Sequence, residues 1–212
     1  MSRRSPVIAA LLGLVLGITP AHTQQVPVRP GIDHALTTEL GHRLAVDQAG
    51  RDSLAIAVTA HDTLFLRRLM ARDSASTAWL RNIVARHGWP GKRLVGDSGA
   101  EAAFLLLQHS PDVAFQAKML PRLWAAARSG DLPAAPVAML DDRVAVHSGR
   151  PQTYGSSFTV KDSCLTPDRI LDPSHVDARR AKVGLPSMAE YGKMLEEMYK
   201  TPVSLSGPFH RR

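Results

Sequence analysis

The strongest constraint on the fold is a succession of helix start and stop signals that runs through most of the chain. Asp33 precedes apolar residues that recur at every fourth position, beginning with Leu36 and Leu40, as on one face of a helix. Near the other end, Ser187 and Glu190 have the spacing of a capping box, which marks a helix start. These signals predict a mainly α fold.

Further helices are predicted between these two. They cover residues 62–87, 98–107, 110–130, 136–146 and 172–184. The helix over residues 62–87 has a possible break at Asp73-Ser74. The pattern changes after Pro151, where the residues form a poor helix and Lys161-Asp162-Ser163 resembles a turn. The sequence therefore predicts a compact multi-helix domain with a small β-hairpin near residues 152–166.

The N-terminus has the pattern of an export signal. Arg3 and Arg4 precede an apolar run from Val7 to Ile18, and small residues follow up to Thr23. Because a membrane-spanning helix needs about 20 apolar residues, this run is too short to cross a bilayer. We therefore predict a signal peptide over residues 1–23, with an uncleaved anchor as the alternative. The mature product is expected to be exported, periplasmic or extracellular, without stable membrane insertion.

The remainder of the chain is the size of one domain. We predict a disordered leader over residues 24–32, a single helical domain over residues 33–200 and a loose tail over residues 201–212. Cys164 is the sole cysteine, so no disulfide within the chain can form and stability must come from an ordinary core.

The charge balance argues against a nucleic-acid partner. The formal charge is +7, and removal of Arg3 and Arg4 leaves 24 basic against 19 acidic residues. The arginines are scattered, and aromatic residues, which would stack on bases, make up 5% of the chain. Weak attraction to an anionic cell envelope fits this mild excess better.

Polar side chains recur among apolar helical segments between Trp89 and Ser156. Burying a polar group without a partner costs about 1–3 kcal/mol, so this series predicts a polar network or pocket. The candidate ligand-binding residues are Asp47, Arg51, Gln108, Gln116, Arg143, Gln152 and Tyr154, and the candidate catalytic residues are His109 and Asp142.

Each candidate also has a plain structural explanation. His109 follows an apolar helix and precedes the next helix start, so it could be a neutral base or a core histidine bonded to a backbone carbonyl. Arg143 could clamp an anionic ligand or join two helices. Asp47 and Arg51 have i, i+4 spacing, so they could line a pocket or form an ordinary ion pair.

Motifs for familiar chemistry do not hold in this chain. Gly96-Asp97-Ser98-Gly99 spells the nucleophile signature of chymotrypsin-like proteases, but His61 lies too close in sequence and both flanks are predicted helices. No pair among the nine histidines has the spacing that places two rings on one helical face. The sequence predicts neither a metal site nor a cofactor.

A series of short motifs follows in order along most of the mature chain. They are Gly88-Trp89-Pro90, Gln108-His109, Phe115-Gln116, Leu120-Pro121, Asp142-Arg143-Val144, Gly149-Arg150-Pro151-Gln152, Tyr154-Gly155, Asp172-Pro173, Val176-Asp177-Ala178-Arg179-Arg180 and Gly184-Leu185-Pro186. From Asp47 to about Tyr191 the chain resembles a bacterial family filed as domain of unknown function 6624, although Ser156-Ser157 stand where that family commonly has Thr-Gln. The resemblance implies a single, mainly helical domain, often exported, with no established activity.

Two functions of different class follow from these observations. The first is a binding or structural module of the cell envelope with an internal polar pocket, whose partner is a small molecule or an envelope component. The alternative is a hydrolase-type enzyme in which His109 acts as general base, Asp142 orients it, and Arg143 or Gln152 polarises the substrate.

Overall fold

The computed structural model describes residues 31–205, apart from the side chains of residues 52, 55, 58 and 59. Two compact units make up this range, an N-terminal unit that ends at Pro133 and a C-terminal unit that begins at Ala134. The predicted signal peptide, most of the leader and the last part of the tail lie outside the described residues. That residues 33–200 act as a single domain stays a prediction.

Helices form the described part of the N-terminal unit. They are α1 (His34–Gln48), α2 (Leu54–Thr59), α3 (Thr63–His87), α4 (Lys92–Gln108) and α5 (Val113–Arg128), with a 3₁₀ turn at Arg51–Ser53. The side chain of Asp33 accepts a hydrogen bond from the backbone N–H of Leu36 at 2.9 Å, as its place before the first apolar stripe predicted. Asp62 caps α3 in the same way.

Three helix boundaries differ from the sequence predictions. The break predicted at Asp73-Ser74 is wrong, because α3 continues through both residues. α4 begins at Lys92 rather than Ser98, and Gly96, at φ 69°, interrupts the helical backbone close to the predicted start. α5 begins at Val113 rather than Ser110, and its cap is Asp112, which accepts from the N–H of Phe115. Local signals in the sequence thus predict which segments are helical better than they predict the first residue of each helix.

The core of the N-terminal unit contains apolar side chains from four of its helices. The fully buried ones include Leu40, Leu80, Leu107, Met119 and Leu123, which come from α1, α3, α4 and α5. Burial of one such side chain contributes about 1.5–3 kcal/mol, so this core supplies the stability that a disulfide would otherwise provide.

The C-terminal unit combines helices with the predicted hairpin. Its elements are α6 (Ala134–His147), β1 (Phe158–Lys161), β2 (Cys164–Pro167), α7 (Val176–Lys182) and α8 (Met188–Tyr199), with a 3₁₀ turn at Pro173–His175. The strands are antiparallel, with Phe158 opposite Pro167. The capping box of Ser187 and Glu190 is confirmed, as is the mainly α fold with a small sheet.

An aromatic pair lies in the core of the C-terminal unit. The rings of Phe158 and Tyr191 meet edge to face, with centroids 5.8 Å apart, so the hairpin packs on α8. Leu165, Ile170, Val176, Met188 and Leu195 belong to the same cluster. Across residues 31–205, no helix has the length and apolar character needed to cross a membrane.

Candidate functional site

The N-terminal unit contains a buried cluster of four charged or titratable side chains, here called the Asp47 cluster: Asp47, Arg51, Asp73 and His109. Asp47, only 2% exposed, accepts a hydrogen bond from Arg51 Nη2 at 2.6 Å and lies 2.7 Å from His109 Nδ1. Arg51 Nη2 also contacts Asp73 Oδ1 at 2.6 Å. The cluster therefore joins the end of α1, the turn after it, α3 and the end of α4.

Charge pairing decides the protonation of this cluster. Burial raises the pKa of the Asp47 carboxyl, but the hydrogen bonds and charges of His109 and Arg51 outweigh burial and leave the pKa below its ordinary value. Burial raises the pKa of Asp73, and the charge of Arg51 offsets part of that increase. Asp47 is therefore the carboxylate that stays ionised most readily here.

The geometry at His109 fixes its tautomer. An ionised carboxylate only accepts hydrogen bonds, so the proton between His109 and Asp47 belongs to Nδ1 of the ring. Nε2 is then the acceptor of the neutral ring. Asp142 was predicted to orient His109, whereas the carboxylate that contacts the ring is that of Asp47.

Gln116 has a structural role at the end of α4. It is fully buried, and its Nε2 donates to the backbone carbonyls of Leu107, Gln108 and Ser110 at 3.0–3.1 Å. The final carbonyls of a helix lack partners within the helix, so this amide supplies the missing donor. Beside it, Thr77 Oγ1 donates to Ser110 Oγ at 2.9 Å and ties α3 to the same turn.

Asp142 organises the C-terminal unit. Only 1% of Asp142 is exposed, and its carboxylate accepts hydrogen bonds from the backbone N–H groups of Thr153, Tyr154 and Ser156 at 2.7–3.2 Å. The hydroxyl of Ser156 donates a further bond at 2.8 Å. Burial raises the pKa of Asp142, and these hydrogen bonds oppose the increase. The segment of residues 153–156 is called the anchored loop below.

Gln152, immediately before the anchored loop, is a second structural amide. It is fully buried, donates from Nε2 to the carbonyls of Ser157 and Asp168, and accepts from the N–H of Ser157 at 2.8 Å. Its own backbone bonds to Arg169 and Leu171. The side chain thus joins two stretches of backbone. These hydrogen bonds give a partner both to its amide N–H₂ group and to its carbonyl oxygen.

Arg180 holds the opposite side of the anchored loop. It is 0% exposed, and its Nη1 donates to the carbonyl of Tyr154 at 2.6 Å while its Nε donates to that of Pro186 at 2.5 Å. The guanidinium carbon lies 4.8 Å from the centroid of the Tyr191 ring. Burial lowers the pKa of Arg180, and the charges of nearby acidic groups oppose this.

Arg180 is not among the predicted site residues. Its only signal in the sequence is the motif Val176-Asp177-Ala178-Arg179-Arg180, which places two arginines side by side without indicating which one is buried. Arg179 Nε donates to the carbonyl of Thr153 at 2.8 Å. Two arginines therefore bind carbonyls of the anchored loop, while Asp142 binds its N–H groups.

Three further predicted residues occupy less enclosed positions. The side chain of Tyr154 is half-buried, and burial together with the charges of Asp141 and Asp142 raises its pKa. Arg143 lies half-buried on α6, and its carbonyl accepts a hydrogen bond from His147 Nδ1 at 2.9 Å. Gln108 is half-buried at the end of α4, where its carbonyl accepts from Gln116.

A groove of about 460 Å³ opens on the N-terminal unit, beside the start of α4 and the end of α5. It is lined by Trp89, Gly91, Arg93, Leu94, Ala125, Ala126, Ser129 and Asp131. Its volume falls within the range of small-molecule sites. The indole of Trp89, the guanidinium of Arg93 and the carboxylate of Asp131 offer a ligand one aromatic, one cationic and one anionic contact. None of the predicted site residues is part of this lining.

A metal site needs several ligand side chains close together, and residues 31–205 do not provide such a group. In this range no three His, Cys, Asp or Glu side chains are grouped in a way that could hold an ion.

The fold and these contacts define a mainly helical protein whose buried polar groups form separate clusters in its two units. The chain belongs to a family of unknown function, DUF6624, whose family model matches residues 34–204. No curated protein and no solved structure matches the chain.

Proposed function

We propose that this chain is an exported binding or structural module of the bacterial cell envelope, whose buried polar side chains maintain the fold. The coordination of Asp142 carries this proposal. Its two oxygens already accept from three backbone N–H groups and one hydroxyl, all within its own unit. A carboxylate used in this way fixes a loop and has little capacity left for a substrate.

Two other features support the proposal. The basic N-terminus with its short apolar run, residues 1–23, is typical of a cleaved signal peptide. The groove beside Trp89 gives the N-terminal unit a concavity that suits a small molecule or an exposed group of an envelope component.

Thermal unfolding tests the role of Asp142. Asp142→Asn keeps the shape of the side chain but turns an amide N–H₂ toward backbone donors, so we expect a loss of about 2–3 kcal/mol in unfolding free energy. Asp97→Asn is the control, because that side chain is 79% exposed; its effect should stay within about 0.5 kcal/mol. An Asp142→Asn variant as stable as the parent chain would contradict a structural role and favour a catalytic one.

Export is tested separately. The full chain is expressed in a Gram-negative host, and the intact mass of the product in the periplasmic fraction is measured. We expect a mass that corresponds to removal of about the first 23 residues. A full-length product retained in the cytoplasm would overturn the envelope assignment.

A second function is favoured by one observation, the 2.7 Å contact between His109 Nδ1 and Asp47. A carboxylate that orients an imidazole through Nδ1 leaves Nε2 as a general base, an arrangement that recurs in hydrolases. In this alternative Asp47 takes the orienting role that the sequence pattern assigned to Asp142.

A substrate screen separates the two functions. Purified chain is assayed on chromogenic esters, phosphates, glycosides and peptides, alongside His109→Gln. Turnover that disappears in His109→Gln, while the melting temperature is retained, would establish the enzyme. If the parent chain shows no turnover and His109→Gln lowers the melting temperature, the result supports the binding or structural module.

A further inference from the structure

The large exposed apolar side chains that the structure describes in the N-terminal unit come from one stretch of its sequence. Within residues 31–133 they are Val46, Ile56, Leu64 and Met70, and they all fall between the end of α1 and the middle of α3. Ile56 is 71% exposed, Leu64 57% and Met70 59%. Leaving such side chains in water is unfavourable, so the stretch of residues 46–70 is the place in this unit where a contact surface is sought.

The same surface carries positive charge. Leu64, Arg67, Arg68 and Ala71 are three or four residues apart in α3, so they lie on one face of the helix, and each is exposed. Leu69 is on the opposite face and is buried. α3 therefore presents Leu64 and two guanidinium groups outward over its first two turns, and exposed Met70, three residues after Arg67, lies at the edge of the same side. This side of the helix is called the α3 face below.

No described carboxylate neutralises these arginines. Neither Arg67 nor Arg68 forms an ion pair with any side chain that the structure describes. The nearest acidic residues of α3 are already engaged: Asp62 accepts from the N–H of Phe65, and Asp73 contacts Arg51. The α3 face is thus positive and available for an anionic partner.

The pattern of apolar groups decides the kind of partner. Single aliphatic side chains separated by arginines suit the boundary between lipid headgroups and acyl chains, where the aliphatic groups insert and the guanidinium groups remain with phosphates. A protein interface would favour a continuous apolar centre with aromatic anchors. The excess of 24 basic over 19 acidic residues in the predicted mature chain adds a general attraction to the same surface.

We propose that the α3 face docks this protein on the headgroups of an anionic phospholipid bilayer. This inference rests on the proposed envelope function, for which it names the partner. The two arginines bind lipid phosphates, and Leu64 and Met70 insert between the headgroups.

Vesicle co-sedimentation tests the proposal with the full mature chain. Vesicles are made of phosphatidylcholine alone, or of phosphatidylcholine with phosphatidylglycerol. We expect binding to the anionic vesicles, little to the neutral ones, and release as salt is raised, because salt screens exposed charges.

Matched charge variants locate the surface. Arg67→Glu combined with Arg68→Glu should weaken vesicle binding by roughly tenfold or more. Arg122→Glu with Arg128→Glu makes the same change in net charge at two exposed arginines of α5 and should weaken it much less. Equal losses in the two pairs would mean attraction to total charge only and would overturn the assigned surface.

Apolar variants and oligomeric state complete the test. Leu64→Ser with Met70→Ser should weaken vesicle binding, whereas Met198→Ser, an exposed methionine of α8, should leave it unchanged. A chain that forms dimers in light scattering, and loses them in Leu64→Ser with Met70→Ser, would replace the lipid with a second copy. A periplasmic product that binds no vesicles would overturn this inference while leaving the proposed export intact.

Discussion

Two buried aspartates organise the two units of this protein in different ways. Asp47 is paired with charged or titratable side chains, Arg51 and His109, while Asp142 is held by backbone N–H groups of the anchored loop. The pKa of the first is lowered, and that of the second is raised because burial prevails. The pairing within the Asp47 cluster can therefore be changed by substitution or by pH. Asp142, which is bound to backbone N–H groups, instead fixes the conformation of the anchored loop.

The largest expected effect tests whether the anchored loop is held from both sides. Arg180→Ala removes the donors to the carbonyls of Tyr154 and Pro186 and leaves a cavity, so we expect a loss of about 3–5 kcal/mol in chemical denaturation. Arg179→Ala, at the neighbouring and partly exposed arginine, should cost about 1 kcal/mol. Similar losses at both positions would mean that burial of Arg180 has no special importance.

A second substitution tests how closely the anchored loop packs. Gly155 has φ 68°, and an added Cβ would lie 2.8 Å from Met188 Sδ and 2.9 Å from Ile170 Cδ1. Gly155→Ala combines left-handed strain with these contacts and should cost about 2–3 kcal/mol in thermal unfolding. Gly149→Ala is the control, since Gly149 has φ 71° but nothing within 4 Å. Gly149→Ala should lower the unfolding free energy by about 1 kcal/mol. An equal loss for Gly155→Ala would show that the anchored loop is loosely packed.

The Asp47 cluster should tolerate substitution better. His109→Ala removes one partner of a buried carboxylate that retains Arg51, so we expect a loss of about 1–2 kcal/mol. A double-mutant cycle with Asp47→Asn measures the coupling directly, by urea denaturation of both single variants and the pair. Effects that simply add would indicate that the contact between His109 and Asp47 contributes nothing to stability.

The smallest effect is the response of the two aspartates to pH. The folded pKa of Asp47 lies below its ordinary value of 3.8, so its ionised form stabilises the fold above that value, and this contribution is lost as pH falls through the folded pKa. The penalty of Asp47→Asn should therefore shrink on acidification from about pH 6 to about pH 3.

Asp142 should respond in the opposite direction. Its folded pKa is raised, so its contribution to stability is greatest below 3.8 and is lost as pH rises through the folded pKa. The penalty of Asp142→Asn should then grow on acidification. Urea denaturation at a series of pH values measures both trends, and parallel trends would break the contrast between the two aspartates.

Local signals predicted most of the helices and the hairpin. Asp33, Asp62 and the Ser187–Glu190 box act within four residues of themselves, so their effect can be predicted without knowing the fold. The short helix α2 and the early start of α4 were missed. The start of α4 has no side-chain cap, since Gly91 precedes it, and α2 has only six residues, too few to be stable without neighbouring helices.

The predicted site residues were polar groups in apolar surroundings, and the structure gives most of them a partner. The i, i+4 spacing of Asp47 and Arg51 could be predicted because it lies on consecutive turns. His109 and Asp47 lie 62 positions apart in the sequence, so no local pattern predicts their contact. Asp73 and Arg180 were missed for the same reason.

The sequence by itself determined the helical class, the hairpin, the family and several of the polar residues that would need partners. The tertiary structure alone decided which partner each one received: a charged side chain for Asp47, backbone N–H groups for Asp142, and backbone carbonyls for Arg180. The physical reason is that capping and periodicity act over a few residues. The pairing of a buried charge depends on which distant groups the packing of the core brings within about 3 Å.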